Sequence, residues 1–392
     1  MNCNIFSSSY EKNPNSYFEF LRNNDPVHYE ESVKSYFISK YSDVKFILDN
    51  PDFFSTKTLA KRAQPVMKEK VLAQMYGDEH AKKKRIIMKS ISGENLNFLF
   101  RTMSNRAKEI LEKGEKSNKI DLVHEFGKEF AVKTSLDMLG IDIKDYKLFL
   151  QWHDGITKYI TSFNLSDEEK LHSIHCSDKL EEYLLPIIKE KAAVNDGTII
   201  SKLFHSNIKF TEKEILALTL NILLAATEPV DKTISYLFFN LLKNQNIFEQ
   251  VKNDRTKIKN AILETLRLNS PVQFIPRQLE HDYVLNGKQL HKDDTVICMI
   301  GAANRDPNFF TNPDSFDIER KSKSSNKFKN APNLAFGSGI HRCVGANFSL
   351  NQIELITNLI LDKYNDIALL SPVIEETGIY TRGPKNMVIK IK

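Results

Sequence analysis

Helical periodicity runs through most of this chain and limits the folds open to it. Between Tyr41 and about Asn269, most segments place apolar residues three or four positions apart, as in LVHEFGKEFAVKTSLDML and KLEEYLLPIIKEKAA. Before this region, residues 26–40 alternate aromatic and β-branched residues with polar ones on both sides of a turn, which predicts two short strands. We therefore expect a mainly α protein with small β-sheets, folded as a single large domain over residues 1–392.

The longest predicted helix begins at Thr211, which has capping-box spacing to a glutamate in the next turn, and continues to about Asn244. A helix of this length spans about 50 Å. Its most apolar part, residues 215–226, is too short to cross a bilayer, so we expect it to cross the protein interior. Pro229 has no N–H to donate to the Ala225 carbonyl, which predicts a kink at that point.

Composition argues against several classes of protein. The four cysteines are widely spaced and form no CxxC pair, which is untypical of a disulfide framework or a structural zinc site. The net charge is +5, and the lysines are interspersed with acidic residues, so we expect no nucleic-acid partner. The N-terminal segment has no basic flank followed by an apolar run, and we expect neither signal peptide nor membrane anchor, and a cytoplasmic location.

A single cysteine lies in a glycine-rich loop, AFGSGIHRCVG, at residues 335–345. The helical pattern after it places Cys343 at or just before a helix N-terminus, where the helix dipole and free amide groups favour the thiolate. The glycines permit close backbone approach or positive φ, which suits a loop lying against a flat ligand. From the residues alone Cys343 has three possible roles: a structural cysteine, a nucleophile paired with His341, or a thiolate ligand of iron. The last also accounts for the glycines.

The stretch FGSGIHRCVG resembles the haem-binding loop of the cytochrome P450 family of haem-thiolate monooxygenases, in which a phenylalanine, two glycines and a basic residue lead to the axial cysteine. The resemblance implies haem b (iron protoporphyrin IX) as cofactor, with Cys343 as the iron ligand and with Phe336, Gly337 and Gly345 in the loop around it. It covers nearly the whole chain, because three further stretches occur in the family's order and approximate spacing.

The stretch ETLR places Glu264 and Arg267 three residues apart on one helix face. Most such pairs are solvated surface contacts. Because ANRDPNFFTNPDSFDIER follows, the stretch resembles the family helix whose Glu and Arg meet a later arginine, here Arg320, in a buried network. The resemblance implies a structural role for these three residues.

The stretch GDEHAKKKRIIMKS places His80 and Lys84 on one helix face and resembles the family helix that binds a haem propionate. The family usually has arginine at the position of Lys84, and Arg85 is adjacent, so the propionate contact is assigned to one of these two. Arg277, in PVQFIPRQL, and His341 match family positions that also meet propionates.

The predicted kink lies in AATEPVDKT, which aligns with the family's oxygen-binding stretch. Ala226 replaces the usual glycine, Glu228 is the acid, and Pro229 occupies the position of a threonine that helps deliver protons during oxygen activation. The resemblance therefore assigns catalytic roles to these residues and to the Ala225 carbonyl, which we expect to hold a water or a substrate amide. Glu228 is either a proton source or a salt-bridged structural acid, and Thr233 is a weaker candidate.

Several stretches, including KRAQPVM, ATEPVDKT and GIYTRGP, resemble the bacterial pulcherriminic acid synthase branch, which oxidises the cyclic dipeptide cyclodileucine to an N-hydroxylated pyrazine in secondary metabolism. The resemblance implies a substrate on the haem face opposite Cys343. The expected substrate-binding residues are Val66, Met67, Leu223, Ala226, Val272, Phe274, Ile379 and Tyr380.

Electrons are expected from a separate ferredoxin or flavodoxin-type protein with its reductase, because no flavin or iron–sulfur module follows the haem motif. The expected docking face is the basic surface near Cys343, including some of residues 82–85. A peroxygenase that uses hydrogen peroxide is an alternative, but that branch has arginine where Glu228 stands here. A haem-binding sensor or carrier without turnover is the alternative from a different functional class.

Overall fold

The computed structural model describes residues 4–320 and 333–392. Most of these residues are helical, as the periodicity predicts. In chain order, the α-helices of the described residues, α1 to α16, are Ser8–Lys12, Pro14–Asn24, Tyr41–Asp49, Leu59–Met67, Gly77–Ser90, Glu94–Glu115, Lys128–Leu139, Tyr146–Thr161, Asp167–Ala192, Ile199–Phe204, Glu212–Ala225, Glu228–Lys243, Gln245–Asn253, Ile258–Leu268, Ile300–Ala303 and Ala346–Lys363.

The strands are short and form small sheets. In chain order, the strands of the described residues, β1 to β12, are Val27–Glu30, Ser35–Ile38, Phe54–Ser55, Lys119–Asp121, Phe274–Leu279, Tyr283–Leu285, Lys288–Leu290, Thr295–Met299, Ile367–Leu369, Glu376–Thr377, Gly383–Pro384 and Val388–Ile391.

The described residues form two compact units, and the first contains residues 4–58, 232–320, 333–343 and 368–388. Its five-stranded sheet has the order β1-β2-β8-β5-β3. The strands β1 and β2 pair antiparallel, as the alternating pattern predicts, and β2 pairs parallel with β8. A buried apolar cluster that includes Val44, Phe54 and Val296 packs α3 against this sheet and is the hydrophobic core that supports it.

The second unit contains residues 59–231, 344–367 and 389–392. Its helices pack around fully buried side chains such as Leu180 and Ile215, and the rings of Phe126 and Phe130 stack with centroids 5.5 Å apart. The amide of Gln352 donates to the Thr134 hydroxyl at 3.4 Å and links α16 to α7. Most of the predicted helical region lies in this unit.

The helix predicted over residues 211–244 with a kink at Pro229 is two helices, and the interruption lies at the predicted kink: α11 ends at Ala225 and α12 begins at Glu228. The capping box is present, since the Thr211 hydroxyl accepts from the Glu214 N–H at 3.2 Å. Pro229 explains the break locally, because it has no N–H for the helical ladder. At the break, the Thr227 N–H donates to the Leu224 carbonyl, three residues back, at 3.3 Å.

The predicted network around ETLR is present and buried. The carboxylate of Glu264 accepts two hydrogen bonds from Arg267, each of 2.8 Å, and one from Arg320, also of 2.8 Å. Arg267 also donates to the Asn304 carbonyl at 2.9 Å. These contacts tie α14 to the chain that follows α15, which confirms the structural role implied for the three residues.

Candidate functional site

The loop around Cys343 is held by its own backbone. The N–H of Cys343 donates to the Phe336 carbonyl at 2.9 Å, and the N–H of Gly337 donates to the Leu334 carbonyl at 2.8 Å. Gly337 has a φ of 68°, a conformation that disfavours residues with a side chain. Gly345 caps α16, so Cys343 lies two residues before the helix cap, as the sequence predicts.

The same loop lies close to the end of α3 in the first unit. Gly339 has a φ of 70°, and a Cβ there would lie 2.5 Å from the Leu48 carbonyl. The neighbouring Ser338 hydroxyl donates to the Asp49 carboxylate. A side chain at Gly339 would therefore push the loop away from α3, which is why a glycine is needed at this position.

The cysteines differ in exposure, and this tests whether the chain fits an iron thiolate centre. Cys298 is fully buried in β8, and burial raises the pKa of its thiol to about 12. Burial also raises the pKa of Cys176, on α9. Cys343 is exposed, and Cys3 lies outside the described residues. Of the described cysteines, Cys343 alone is accessible to a ligand, so the residues present fit a haem iron held by this sulfur.

In the second unit, His80 and Lys84 lie on one face of α5, whose bounds match the predicted stretch. Burial, and secondarily the charge of Lys84, lower the pKa of His80 below its usual value. The lowered pKa favours the neutral imidazole, in which one ring nitrogen is a donor and the other an acceptor. Lys84 is half-buried, whereas Arg85 is exposed.

Lys83 has a role that the sequence did not indicate. Its side chain is buried and forms ion pairs with Glu79, at 2.9 Å, and with Glu214 on α11. Among the basic residues 82–85, Lys83 is therefore committed to the interior of the second unit. A strongly basic stretch gives no sequence signal for which lysine points inward, because both neighbours of Lys83 are also lysines.

Arg277 and His341 lie in the first unit. Arg277 is buried on β5, opposite Val296 of β8, and donates to the Pro276 carbonyl at 2.9 Å. His341 lies two residues before Cys343 and is partly buried. The first unit therefore contains Cys343 and two of the residues matched to propionate positions, and the second unit contains His80 and Lys84.

The break between α11 and α12 lies in the stretch that resembles the family's oxygen-binding segment. Ala225 is exposed and Ala226 is half-buried, although the helix before them is mostly buried. Glu228 and Pro229 are the first two residues of α12, and both are half-buried. The hydroxyl nearest in sequence to Pro229 belongs to Thr227, but this side chain is buried and donates to a backbone carbonyl.

Two of the expected substrate segments meet in the first unit. Val272 pairs with Thr381 across an isolated bridge, and the Tyr380 carbonyl accepts the Gln273 N–H at 2.8 Å. The rings of Phe274 and Tyr380 are edge to face with centroids 6.3 Å apart. Val272, Ile379 and Tyr380 are half-buried, whereas Phe274 is fully buried.

A hairpin positions Ile379 and Tyr380, and sequence analysis did not identify the residues that brace it. The antiparallel strands β10 and β11 enclose residues 378–382. Arg382 donates to the Glu376 carboxylate at 2.8 Å, and the Tyr236 hydroxyl donates to the same carboxylate at 2.7 Å. This cluster, in which Tyr236 and Arg382 are buried and Glu376 is half-buried, holds the loop that presents Ile379 and Tyr380.

The remaining expected substrate residues lie in the second unit. Val66 and Met67 end α4, Leu223 lies in the last turn of α11, and all three side chains are almost fully buried. The hydroxyl of Ser177, on α9, donates to the Val66 carbonyl at 2.7 Å.

The sequence profile of the cytochrome P450 family matches residues 3–367. The chain belongs to the cytochrome P450 family. It is 46% identical to the pulcherriminic acid synthase of Bacillus subtilis (strain 168) over 98% of this chain and 96% of that protein. It is 26% identical to cytochrome P450(BM-1) of Priestia megaterium over 90% of this chain and 87% of that protein.

Solved structures of cytochromes P450 have the same fold. P450BioI, solved with a hexadec-9Z-enoic acid-ligated acyl carrier protein, superposes with a TM-score of 0.87 at 20% identity, covering 98% of this chain and 99% of that one. CYP109E1 of Bacillus megaterium, solved with testosterone, gives a TM-score of 0.83 at 26% identity, covering 96% of this chain and 99% of that one. The predicted mainly α fold with small sheets is confirmed.

Family membership establishes the class of reaction. Cytochromes P450 bind haem b, and this chain is a haem-iron monooxygenase that takes a small-molecule substrate and receives electrons from redox partners. No helix among residues 4–320 and 333–392 is long and apolar enough to span a membrane.

Proposed function

We propose that this cytochrome P450 oxidises a cyclic dipeptide, such as cyclodileucine, to an N-hydroxylated pyrazine of the pulcherriminic acid type in secondary metabolism. The identity of 46% over 98% of the chain to a pulcherriminic acid synthase carries this proposal. Cytochrome P450(BM-1) of Priestia megaterium, by contrast, is 26% identical to this chain. Residues 1–392 act as one catalytic domain, and the protein works in the cytoplasm.

Cys343 is the proposed iron ligand, in a loop shaped by Phe336, Gly337 and Gly345. Support comes from the exposure of its thiol and from the burial of the other described cysteines. When bound, the haem supplies the oxidising chemistry, and the thiolate supplies electron density to the iron.

His80, Lys84, Arg277 and His341 are the proposed partners of the haem propionates. Lys84 is preferred over Arg85 because it is half-buried and lies close enough to His80 to lower the pKa of that ring. His80 would donate one hydrogen bond through a ring N–H, and the cations would add charge-assisted ones.

Proton delivery differs from the usual family arrangement because Pro229 has neither hydroxyl nor N–H. The carbonyl of Ala225 loses its usual helical donor and is proposed to hold a water or a substrate amide. Exposure of Ala225 and the adjacent half-buried Ala226 support this position. Glu228 is the proposed proton source, and the N–H groups of a cyclic dipeptide complete the network.

The proposed substrate contacts in the first unit are Val272, Phe274, Ile379 and Tyr380. Half-buried Val272, Ile379 and Tyr380 are the best placed to touch a ligand, with Phe274 packed behind Tyr380. The remaining proposed contacts are Val66, Met67, Leu223 and Ala226.

A ferredoxin or flavodoxin-type protein with its reductase is the proposed electron donor. Its proposed docking face is the basic surface near Cys343, where Arg342 is exposed. In the second unit, exposed Lys82 and Arg85 of α5 are further proposed contacts of the donor. Lys83 contributes nothing to this face, because its charge is buried and paired.

The test is a spectral titration of the purified haem protein with cyclodileucine and, separately, with dodecanoic acid, followed by product analysis with a reductase system. We expect cyclodileucine, but not dodecanoic acid, to displace water from the iron and to give a pyrazine product. Tighter binding and turnover of the fatty acid would contradict the proposed substrate. Turnover with hydrogen peroxide in place of reductase would favour a peroxygenase, and binding without any product would favour a sensor or carrier.

The proton route has its own test, the ratio of product formed to reductant consumed. We expect wild type to couple well with the amide-rich substrate and poorly with an apolar compound of similar size, since only the former supplies N–H donors. Glu228→Gln should lower this ratio and alter its pH dependence, and Pro229→Thr should reduce the difference between the two substrates. Equal coupling of wild type with both substrates, together with an unaffected Glu228→Gln variant, would show that this route is wrong.

A further inference from the structure

The helix α4 depends on its neighbours for its conformation. It has only nine residues and contains Pro65, and an isolated helix of this length is not stable in water. Val66 and Met67, which the proposed function places against substrate, form its last turn. The positions of their side chains therefore depend on what holds that end of the helix.

The residue after this helix has a strained backbone. Lys68 has a φ of 69°, and its N–H donates to the Gln64 carbonyl at 2.9 Å, a helix-ending arrangement for which glycine is the usual residue. A side chain in this conformation is unfavourable relative to glycine. The presence of lysine is explained by its side chain, which forms ion pairs with Asp178 and, at 3.6 Å, with Glu181 on α9.

The same turn of α9 also holds the backbone of Val66. Ser177 is fully buried and its hydroxyl donates to the Val66 carbonyl at 2.7 Å. Consecutive residues of α9, Ser177 and Asp178, thus contact positions on both sides of Met67. These polar contacts fix the final turn of α4 to α9.

The opposite end of α4 is attached to different elements. The guanidinium of Arg62 donates to the Ile160 carbonyl at 2.7 Å and to the Ser162 carbonyl at 3.2 Å, and it lies 4.7 Å from the Phe163 ring centroid. These contacts attach α4 to the end of α8. A change confined to Lys68 leaves the Arg62 contacts in place, so it loosens the turn that carries Val66 and Met67 without detaching the whole helix.

We propose that Lys68 is a positioning residue for substrate: its ion pairs with Asp178 and Glu181 hold Val66 and Met67 in the binding conformation. Lys68 acts on the substrate through Val66 and Met67 and does not itself touch the substrate. This inference rests on the proposed function for the placement of Val66 and Met67. It also gives the lysine a function at a position where glycine would relieve backbone strain.

The expected effect follows from the exposure of the ion pair. The side chains of Lys68, Asp178 and Glu181 are 20%, 49% and 33% exposed, so the pair belongs to the weak, partly solvated class. Its loss should weaken cyclodileucine binding about two- to fivefold. Salt screens the ion pairs of Lys68, whereas the substrate is uncharged. We therefore expect salt to raise the Kd of the wild type, and to raise it less when Lys68 is replaced.

The experiment compares Lys68→Met, Lys68→Gly and Lys68→Arg in the haem-loaded protein. Spectral titration gives Kd at low and high salt, turnover gives KM and kcat, and hydrogen exchange of residues 59–67 reports α4 without any substrate. The matched control is Lys179→Met, which removes a lysine of α9 whose ion pair with Glu182, at 2.8 Å, does not involve α4.

We expect Lys68→Met and Lys68→Gly to raise Kd and KM with little change in kcat, and to speed exchange in residues 59–67. Lys68→Arg and Lys179→Met should resemble wild type. Lys68→Gly should be thermally at least as stable as Lys68→Met, because glycine relieves the backbone strain. Weaker binding in this relaxed variant separates positioning of the substrate from general destabilisation of the protein.

Unchanged exchange in residues 59–67 of both Lys68→Met and Lys68→Gly would overturn the inference, whatever the substrate. Faster exchange with unchanged Kd and KM would overturn it as well, because the anchoring would then have no effect on substrate. A wild-type protein that binds no cyclic dipeptide would instead contradict the proposed function, and the exchange of α4 would then decide whether Lys68 anchors this turn.

Discussion

Replacement of Glu264 by glutamine removes the negative charge from a buried cluster that contains two arginines. The carboxylate accepts three bonds of 2.8 Å from Arg267 and Arg320 and a fourth, of 3.1 Å, from the Asp317 N–H. Glutamine has nearly the same shape, but its NH₂ group would face a guanidinium donor and leave two buried cations without a counter-charge. Breaking one partner of a buried ion pair costs about 3–5 kcal/mol.

This cost converts to a measurable change in the midpoint of thermal unfolding. An unfolding entropy of about 2.1 cal/mol/K per residue gives ~0.8 kcal/mol/K for the 392-residue chain. We therefore expect Glu264→Gln to lower the midpoint by roughly 4–6 °C, measured by circular dichroism on the haem-loaded protein.

The control is Glu109→Gln, which removes an exposed Glu from another Arg–Glu pair three residues apart, Arg106–Glu109 at 3.3 Å. We expect this exposed pair to change stability by less than about 1 kcal/mol. If Glu264→Gln shifted the midpoint no more than Glu109→Gln, the assignment of a large stabilising role to the buried network would be refuted.

Three further predictions concern the cofactor and the response to pH. Cys343→His should lose the red-shifted Soret band of the reduced carbon-monoxide complex while Cys298→Ala keeps it, and persistence of the band in Cys343→His would exclude this sulfur as ligand. Arg277→Ala should release haem faster than wild type to an apo-myoglobin acceptor, and equal rates would remove Arg277 from the site. Hydrogen bonds from the Lys158 side chain and, to a smaller extent, from the Ser166 N–H lower the pKa of Glu169 from 4.5 to about 2. The contribution of Glu169 to stability is therefore present above about pH 4.5 and lost as pH falls toward 2. The difference in thermal midpoint between wild type and Glu169→Gln should shrink as the pH is lowered. A difference that stays constant with pH would contradict this prediction.

Local sequence patterns were sufficient where the chemistry involves neighbours along the chain. The alternating residues of 26–40 form the paired strands β1 and β2, and the capping box at Thr211 is present. The stretch GDEHAKKKRIIMKS forms α5 with His80 and Lys84 on one face, because residues four apart on a helix always share a face. The glycine-rich loop places Cys343 before α16 because glycine permits the positive φ that such a loop needs.

Only the tertiary structure decided which of several similar residues points inward and whether a predicted kink becomes an interruption. Pro229 predicts a kink in one helix, and the structure interrupts the helix at residues 226–227. Three successive lysines at 82–84 are equivalent in sequence, and Lys83 is buried because Glu214, far along the chain, supplies a counter-charge. The ion pairs of Lys68 likewise join positions more than a hundred residues apart. Helix periodicity is local, whereas the partner of a buried charge is set by packing between distant segments, and no pattern within either segment specifies it.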